Sequence, residues 1–344
     1  MTNRKARGIG LLSGGLDSAL ACLVLKDAGV DIECLHFFTG FCVTGHNSRV
    51  GRTKRPIANH ALQVAAEMEI PVELVDISEE YLPVVLDPKF GYGKNMNPCI
   101  DCRVFMLKKA KERMEERGAD FVFTGEVIGQ RPKSQVKSAL RAIEKAAGLE
   151  GRLLRPLSAK VLPPTIAEEQ GLVDREKLHG MVGRGRKPQI ELARKYGLET
   201  FMQPAGGCCF LTDKAYSNKF KDVIENEGVK GLAVEDVFVL GVGRHFRLSP
   251  DLKVIVGRDE IENNFLSYYT EDRWSAGAVE YAGPVAVIMG AVTDADWEKI
   301  ASIVARYSGG KDQTAVDVRF VNGDDVRVVT AAPAKSEFLD DTRI

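Results

Sequence analysis

The chain has 344 residues, 44% of them hydrophobic and 28% charged, a composition typical of globular proteins with about two domains of ~100–200 residues each. No apolar run approaches the ~20 residues of a membrane span, and the polar start MTNRKARG is not a signal peptide. Its seven unevenly spaced cysteines do not resemble a secreted disulfide framework. We therefore expect a cytoplasmic protein with no membrane partner.

The net charge of −1 hides an asymmetry between two parts of the chain. Residues 1–200 contain 31 Lys and Arg against 25 Asp and Glu, whereas residues 201–344 contain 16 against 23. Within the first part, residues 34–66, 127–143 and 177–190 carry basic side chains and no acidic ones. Any one of these stretches could be solvated surface, but three together predict a polyanionic partner.

The first 155 residues alternate strand-like and helix-like segments. The predicted strands are 7–12, 31–38, 71–77, 120–125 and 153–157, and the predicted helices are 17–28, 55–69 and 102–117. This alternation predicts an α/β domain with a parallel sheet and helices on both faces. A further helix over 213–227 ends the first predicted domain, which spans 1–228.

Residues 229–344 are predicted to form a smaller α+β domain. Its expected strands are 236–248, 251–258, 283–292, 314–321 and 324–330, with one helix over 294–307. The last dozen residues are expected to be frayed.

The stretch Ser13-Gly14-Gly15-Leu16-Asp17-Ser18 separates the first predicted strand from the first helix. Glycine lets the backbone approach a ligand closely, and the N–H groups at a helix N-terminus attract phosphate. Both serines can donate hydroxyl hydrogen bonds, and a carboxylate beside phosphates suits Mg²⁺. The alternative is a glycine-rich turn whose serines and aspartate cap the helix.

This stretch resembles the PP-loop, SGGxDS, of the ATP pyrophosphatase family. The resemblance implies that Ser13, Gly14, Gly15, Asp17 and Ser18 hold the phosphates of ATP and Mg²⁺. It further implies that a carbonyl-type oxygen of the substrate is adenylated, with release of pyrophosphate, and that a nucleophile then displaces AMP. The motif does not say whether the nucleophile is nitrogen or sulfur.

The cysteines bear on the identity of the nucleophile. Cys99 and Cys102 lie where a helix is expected to begin, which favours a lowered thiol pKa, and Cys208-Cys209 follow two glycines. These thiols could hold a structural zinc, form a persulfide or disulfide relay, ligate an iron–sulfur cluster through three cysteines, or be incidental buried residues. Cys22 and Cys34 are interpreted as core residues, and Cys42 is ambiguous.

The segments NPCIDCR, TGEVIGQRPKSQ and LLRPLS follow the PP-loop in an order that resembles the tRNA thiouridine synthetases. The GE-x-x-GQ…SQ element is similar to that of the tRNA 4-thiouridine synthetases, and the CxxC with a distant third cysteine is similar to the cluster-dependent tRNA thiolases. This resemblance covers roughly residues 7–213. It implies that Gly125, Gln130, Ser134 and Gln135 line the nucleotide or the target base.

The same resemblance implies that Asp17, Cys99, Cys102 and Cys208 act in catalysis. Cys99, Cys102 and either Cys208 or Cys209 would ligate a [4Fe-4S] cluster or carry sulfur directly. Glu126 and Asp101 are candidates for proton handling or orientation, with surface helix-start roles as the alternative. The chain departs from the 4-thiouridine synthetases because those carry an RNA-binding module ahead of the PP-loop.

The stretch 242–263 resembles the small RNA-associated domain of the NFACT proteins, over roughly residues 234–330. That likeness implies RNA binding, in which the phosphates would be contacted by Arg244, His245, Arg247, Lys253 and Arg258. For His245, a core or edge position is the alternative. A stabilising or homodimer-forming role is the alternative for this domain.

The sequence therefore predicts an ATP- and Mg²⁺-dependent tRNA sulfurtransferase that replaces a uridine carbonyl oxygen with sulfur, giving 4-thiouridine or 2-thiouridine. Its partners would be tRNA and a sulfur donor, either sulfide or a persulfide carrier. The alternatives are a PP-loop ligase or amidotransferase acting on a small metabolite, or an RNA-binding or sulfur-delivery protein without turnover.

Overall fold

The structure is a computed structural model that describes residues 4–43, 60–131, 133–198, 209–230 and 232–344. The chain forms two compact units. The described part of the first unit is 4–39, 60–131 and 133–198, and that of the second is 40–43, 209–230 and 232–344. The predicted domain boundary after residue 228 stays a prediction.

The first unit is built around a parallel sheet. Its strands are β1 (Arg7–Leu11), β2 (Asp31–Phe38), β3 (Val72–Asp76), β4 (Phe121–Thr124) and β5 (Leu153–Leu154). They pair in the order β3-β2-β1-β4-β5, and every pair is parallel, with Leu11 opposite both Leu35 and Thr124. The central strand β1 is almost continuously apolar because both of its faces are covered.

Helices cover the two faces of this sheet. They are α1 (Leu16–Asp27), α2 (His60–Glu67), α3 (Ser78–Leu86), α4 (Cys99–Glu116), α5 (Lys137–Ala147), α6 (Ile166–Glu169) and α7 (Lys187–Lys195). One core joins α1, α2 and α7 to one face, and a second core joins α4 and α5 to the other. The predicted α/β class with helices on both faces is confirmed.

The second unit contains an antiparallel sheet. Its strands are β6 (Arg244–Ser249), β7 (Leu252–Val256), β8 (Ser275–Ala278), β9 (Ala286–Gly290), β10 (Val316–Asn322) and β11 (Asp325–Ala331). They pair in the order β11-β10-β8-β9-β7-β6. The accompanying helices are α8 (Lys214–Asn226), α9 (Val234–Val239), α10 (Glu260–Ser267), α11 (Trp297–Tyr307) and α12 (Ser336–Thr342). The predicted smaller α+β domain is therefore confirmed in class.

Two local predictions for this unit are wrong. The start of the expected strand 236–248 is helix α9, because Val234, Val237 and Phe238 bury one helical face and Asp236 accepts a hydrogen bond from the backbone N–H of Ala233. The last dozen residues are ordered rather than frayed. Leu339 of α12 is buried, and the N–H of Ile344 donates to the carbonyl of His245.

Among the helices of the described ranges, none combines the length and the apolar character that crossing a bilayer requires.

The second unit buries cations on the sheet face that meets α8. The Nζ of Lys219 donates to the carbonyls of Leu240 and Gly243, both at 3.1 Å. Burial, followed by the charges of Arg258 and Lys253, lowers the pKa of Lys219 to about 7. The unfolded chain therefore binds more protons than the folded unit between about pH 7 and the ordinary pKa of lysine, ~10.4.

We accordingly expect the second unit to become more stable as the pH rises from 7 to 9. Trp274 and Trp297 both lie in this unit and are the chain's only tryptophans, so urea unfolding followed by tryptophan fluorescence reports on it. Lys219→Met should flatten the pH dependence of the urea midpoint. Lys221→Met, an exposed change on the same helix, should preserve it. A slope that Lys219→Met leaves intact would contradict the assignment.

Candidate functional site

The glycine-rich loop closes on itself between β1 and α1. The Oγ of Ser18 donates to the carbonyl of Gly15 at 2.8 Å and accepts from the N–H of Ser13 at 3.3 Å. Gly14 has a φ of +77°, and a Cβ there would lie 2.9 Å from the backbone nitrogen of Ala61, so glycine is needed. Among the described residues, no side chain caps the first turn of α1 at Gly15, while the N–H of Gly15 itself donates to the Oγ of Ser13 at 3.4 Å. Phosphate binding by this loop stays a prediction.

Asp17 presents a carboxylate beside this loop. Its Oδ2 accepts a hydrogen bond from the Nε2 of Gln130 at 3.0 Å and lies 3.7 Å from an Nη of Arg186. Its Oδ1 is buried and has no hydrogen-bond partner among the described residues. Because a buried carboxylate oxygen ordinarily has a partner, this atom fits the coordination of a hard cation such as Mg²⁺.

The loop that follows β4 packs directly on the start of α1. A Cβ at Gly125 would lie only 2.3 Å from the carbonyl oxygen of Asp17, so this contact requires glycine. The N–H of Gly129 donates to the carbonyl of Gln135 at 2.7 Å. Ser134 and Gln135 are both buried, and the Oε1 of Gln135 has no hydrogen-bond partner among the described residues. Gly125, Gln130 and Gln135 thus belong to one loop next to Asp17.

Glu126 is the electrostatic centre of this loop. Its Oε2 accepts from the Nε of Arg155 and its Oε1 lies near the Nε of Arg103, both at 3.1 Å, while the carboxylate is only 3% exposed. Burial alone would raise the pKa of Glu126, but the charges of Arg103 and Arg155 outweigh it and hold the pKa below its usual value. Glu126 therefore stays ionised in a structural ion cluster, which does not suit the proton-handling role considered for it.

Arg103 also links this loop to the first two cysteines of interest. Cys99 and Cys102 occupy the first turn of α4 and are partly buried, and Arg103 follows Cys102 directly. The N–H of Cys102 donates to the carbonyl of Pro98 at 2.8 Å, which fixes the helix start. Asp101 is buried and accepts from the backbone N–H of Phe90, so it anchors the preceding loop.

The remaining five cysteines differ in burial and in unit, and Cys42 lies partly exposed in the second unit. Cys22 and Cys34 are fully buried with their sulfurs 3.5 Å apart, which confirms them as core residues. Cys208 lies outside the described residues, and Cys209 belongs to the second unit. Within the described ranges, no group of three or more Cys, His, Asp or Glu side chains could hold a metal ion. Two of the three predicted cluster ligands, Cys99 and Cys102, lie one helical turn apart. The cluster itself remains a prediction.

The basic side chains predicted to face RNA phosphates in the second unit are engaged internally. His245 is fully buried, with its pKa lowered by burial and by the charges of Lys219 and Lys253, and Lys253 is 1% exposed. Their predicted role in phosphate contact is therefore wrong, because alternation along β6 and β7 places them on the face covered by α8.

The three predicted arginines of that group have intramolecular partners as well. Arg247 pairs with Asp222 at 2.6 Å and Glu227 at 2.8 Å. Arg258 pairs with Glu262, and Arg244 stacks over the ring of Tyr307.

Sequence reasoning did not single out Arg103, Arg155 or Arg186. Arg186 belongs to the basic stretch 177–190, which the sequence predicts to face a polyanion. Its pairing with Asp17 is not predictable from that stretch. Arg155 falls within LLRPLS, a segment used only for the resemblance. No local pattern in the sequence predicts these roles, because each arginine pairs with a carboxylate that is distant in sequence.

A parallel sheet whose first strand runs through SGGLDS into a helix gives the first unit the α/β fold of the HUP or PP-loop class. Residues 7–147 match the family described as tRNA methyl transferase HUP domain, and residues 243–342 match the NFACT protein RNA binding domain. Both matches confirm the resemblance noted from the motifs, in the first unit to the PP-loop tRNA thiouridine synthetases and in the second to the RNA-associated domain of the NFACT proteins.

Among curated proteins, the chain is 27% identical over 236 residues to the tRNA-specific 2-thiouridylase of Petrotoga mobilis, covering 64% of this chain and 59% of that protein. It is 24% identical over 257 residues to that of Salinibacter ruber, covering 70% and 62%. The chain thus spans about 60% of the length of these relatives. A solved 4-thiouridine synthetase–RNA complex with bound ATP is 22% identical, with a TM-score of 0.34 and coverage of 55% of this chain and 50% of that one.

We expect Glu126→Gln to destabilise the first unit by up to ~3–5 kcal/mol, because it removes the buried carboxylate that Arg103 and Arg155 share and leaves Arg155 with its pair to Glu144 alone to offset the burial of its charge. Glu115→Gln, which removes an exposed i,i+4 pair with Lys111, should cost less than ~1 kcal/mol. Hydrogen exchange of peptides from β1 and β4 in urea measures this unit separately.

The same pair of proteins tests the pKa of Glu126. Because its folded pKa is depressed, its contribution is complete above the unfolded pKa of ~4.3 and is lost as the pH falls through the folded value. The stability difference between wild type and Glu126→Gln should therefore shrink below about pH 4. A difference that is constant with pH would contradict the assignment.

Proposed function

We propose that the protein is an ATP-dependent tRNA sulfurtransferase. A uridine carbonyl oxygen attacks the α-phosphorus of ATP, which gives an adenylated base and pyrophosphate, and sulfur then displaces AMP. The relatives are named tRNA-specific 2-thiouridylases, which favours 2-thiouridine as the product over 4-thiouridine.

The observation that carries this proposal is the connection of three parts at one edge of the parallel sheet. Gly125 contacts the backbone of Asp17, so the loop after β4 meets the glycine-rich loop. Glu126 of the same loop pairs with Arg103, which follows Cys102 on α4. The glycine-rich loop with Asp17 and the helix start with two thiols are thereby both connected to the loop that carries Glu126.

In this proposal Ser13, Gly14, Gly15 and Ser18 bind the phosphates through N–H groups and hydroxyls. Asp17 would hold Mg²⁺ through its Oδ1, and that ion would supply positive charge to neutralise charge developing on the phosphates. Arg186 and Gln130 orient the Asp17 carboxylate through its Oδ2. Gly125, Gln130, Ser134 and Gln135 line the nucleotide or the target uridine.

Sulfur is delivered by Cys99, Cys102 and one of Cys208 or Cys209, which a persulfide carrier loads in the persulfide form. In that form, the terminal sulfur of a cysteine persulfide joins the adenylated base as AMP leaves, and a dithiol reductant cleaves the resulting disulfide to release the thiouridine. In the cluster form, Cys99, Cys102 and Cys208 would hold a [4Fe-4S] cluster, which would supply an iron able to bind sulfide. Placement of two of these thiols one turn apart supports either form.

The second unit is proposed to bind tRNA, supported by its match to the NFACT protein RNA binding domain. Phosphate contacts dominate RNA affinity, so they must come from cations other than the buried His245 and Lys253. Arg319, exposed on β10, is one such group. A homodimer contact is the alternative use of this unit.

The function is tested by mass spectrometry of tRNA nucleosides from cells with and without the gene. Deletion should remove one thiouridine, and its mass and retention distinguish the 2-thio from the 4-thio product. Complementation with Asp17→Asn should restore about 10²-fold less thiouridine synthesis, the scale of losing one group that stabilises transition-state charge. Asp27→Asn, an exposed change at the other end of α1, should restore it fully.

Persistence of every thionucleoside after deletion would remove the tRNA assignment. ATP turnover to AMP with a small metabolite and without RNA would then identify a PP-loop ligase or amidotransferase.

The cluster form is tested by anaerobic purification and iron analysis. A [4Fe-4S] protein should be brown with about four iron atoms per chain, and Cys99→Ala should bleach it. Cys22→Ala, a core change away from the first turn of α4, should keep the iron. Protein that stays colourless and iron-free after reconstitution, yet thiolates tRNA, would establish the persulfide form.

A further inference from the structure

A cavity of about 350 Å³ opens beside the edge strand β5 of the first unit. Its lining comes from α5 and from residues 150–168, which include β5, and all of it belongs to that one unit. Pockets that bind small molecules start at ~300 Å³, so the cavity has room for one nucleobase. Apolar side chains form much of its wall, among them Leu140, Leu153, Leu154, Leu162, Pro163 and Pro164.

The guanidinium of Arg155 lies in the wall of this cavity and is only 3% exposed. Its Nε donates to Glu126 and its Nη1 donates to Glu144, both at 3.1 Å. Its Nη2 is buried and has no hydrogen-bond partner within the described ranges. Because a buried donor ordinarily has a partner, this nitrogen indicates where an acceptor of a ligand would bind.

The charge around Arg155 determines which acceptor suits its Nη2. Arg155 and Arg103 are balanced by the carboxylates of Glu126 and Glu144, so the cluster as a whole is neutral. No excess positive charge remains there to attract an anion. A carbonyl oxygen is a neutral acceptor, and nucleobases present carbonyl oxygens on their hydrogen-bonding edges. The interior of the cavity therefore suits a base better than a phosphate.

The mouth of the cavity carries unbalanced positive charge. Lys137, Arg141 and Lys145 line it at four-residue spacing on one face of α5, and all three are exposed. In the part of the chain that the structure describes, none of the three has an ion-pair or hydrogen-bond partner. Of the other acids in the wall, Glu168 has both carboxylate oxygens engaged in hydrogen bonds, and Glu150 contributes one charge against three. The mouth therefore attracts anions.

The three cations form a stripe along α5. Eight residues separate Lys137 from Lys145, which is ~12 Å at the helical rise of 1.5 Å per residue. A single phosphate group does not span that length, whereas consecutive phosphates of an RNA strand do, and phosphate contacts dominate RNA affinity. Lys137 and Arg141 also belong to the acid-free stretch 127–143, which predicts a polyanionic partner. These features favour a strand of RNA over a free nucleotide.

We propose that this cavity binds a single nucleotide of an RNA strand. The base enters the apolar interior, where one of its carbonyl oxygens accepts a hydrogen bond from the Nη2 of Arg155. The phosphates on either side of that nucleotide contact the cations of the α5 stripe. The inference deepens the proposed function and rests on it, since the strand is then the tRNA substrate. Asp17, Cys99 and Cys102 do not line the cavity, so its nucleotide is one other than the target uridine.

The base site is tested first with a free mononucleotide, so that the outcome does not depend on tRNA thiolation. Full-length protein with excess nonhydrolysable ATP analogue is titrated with uridine 5′-monophosphate (UMP), and saturation-transfer difference NMR follows the uracil ring protons. Leu162→Trp, which fills the cavity, should weaken binding about tenfold, the scale of losing a hydrogen bond to a charged group. Val161→Trp, an equally large change at the exposed neighbour, should preserve it. Equal binding of UMP by both variants would overturn the base site.

The RNA strand is tested with the fluorescence anisotropy of a labelled, unmodified tRNA transcript. Arg141→Ala should reduce the slope of log Kd against log salt by ~0.7, because one phosphate contact is lost. Leu162→Trp should weaken binding about tenfold at an unchanged slope, because it removes only the base contact. Lys108→Ala removes an exposed cation of α4 outside the cavity and should change neither quantity. Hydrogen exchange of peptides from β1 and β4 verifies that each variant is folded.

The outcomes separate the possible failures. The tRNA transcript should displace UMP from the wild type, and UMP that tRNA leaves bound would overturn the RNA strand as the ligand. If Leu162→Trp and Arg141→Ala bind tRNA as the wild type does, while the protein thiolates tRNA, the cavity site is overturned and the proposed function stands. Both effects in a protein that makes no thiouridine would overturn the proposed function and leave the RNA site established.

Discussion

The buried ion cluster around Glu126 is the constraint on which the arrangement of the first unit depends. Glu126 follows Gly125 at the start of the loop after β4, where Gly125 packs against α1. The carboxylate of Glu126 is shared by Arg103 of α4 and by Arg155. A buried ion pair adds little net stability, but removing one partner is costly, so the three elements are held in one geometry. The thiols on α4 and the anion site on α1 are thereby fixed relative to each other across the sheet edge.

Glycine performs the complementary task of permitting contact where side chains would prevent it. At Gly125 the backbone of one loop lies against the carbonyl of Asp17, and at Gly14 a positive φ brings the phosphate loop against the start of α2. These contacts leave Asp17 with one oxygen oriented by Gln130 and Arg186 and the other turned to the site. Attraction at Glu126 and close approach at the glycines together hold the glycine-rich loop, the loop after β4 and the start of α4 at one edge of the sheet.

Much of this could be predicted from the sequence because it is encoded locally. The apolar runs of β1 and β2 and the SGGLDS turn between β1 and α1 specify a parallel sheet with an anion site, whatever the rest of the chain does. The prediction was wrong where the outcome depends on distant residues. The segment that forms α9 has the apolar composition of a strand, but its apolar side chains bury one face of a helix. His245 and Lys253 have the charge expected of phosphate ligands, but both are buried on the sheet face that α8 covers. The partner of Cys42 was likewise unpredictable, since only the fold brings Cys209 opposite to it.

The cysteines form two pairs of different geometry, one in each unit. The first unit places Cys99 and Cys102 on one turn of a helix whose next residue, Arg103, pairs with Glu126 of the loop after β4. The second unit places Cys42 and Cys209 opposite each other across a short antiparallel bridge. A helical turn is set by neighbouring residues, so the spacing of the first pair is visible in the sequence. The second pair exists only because the fold brings distant segments together.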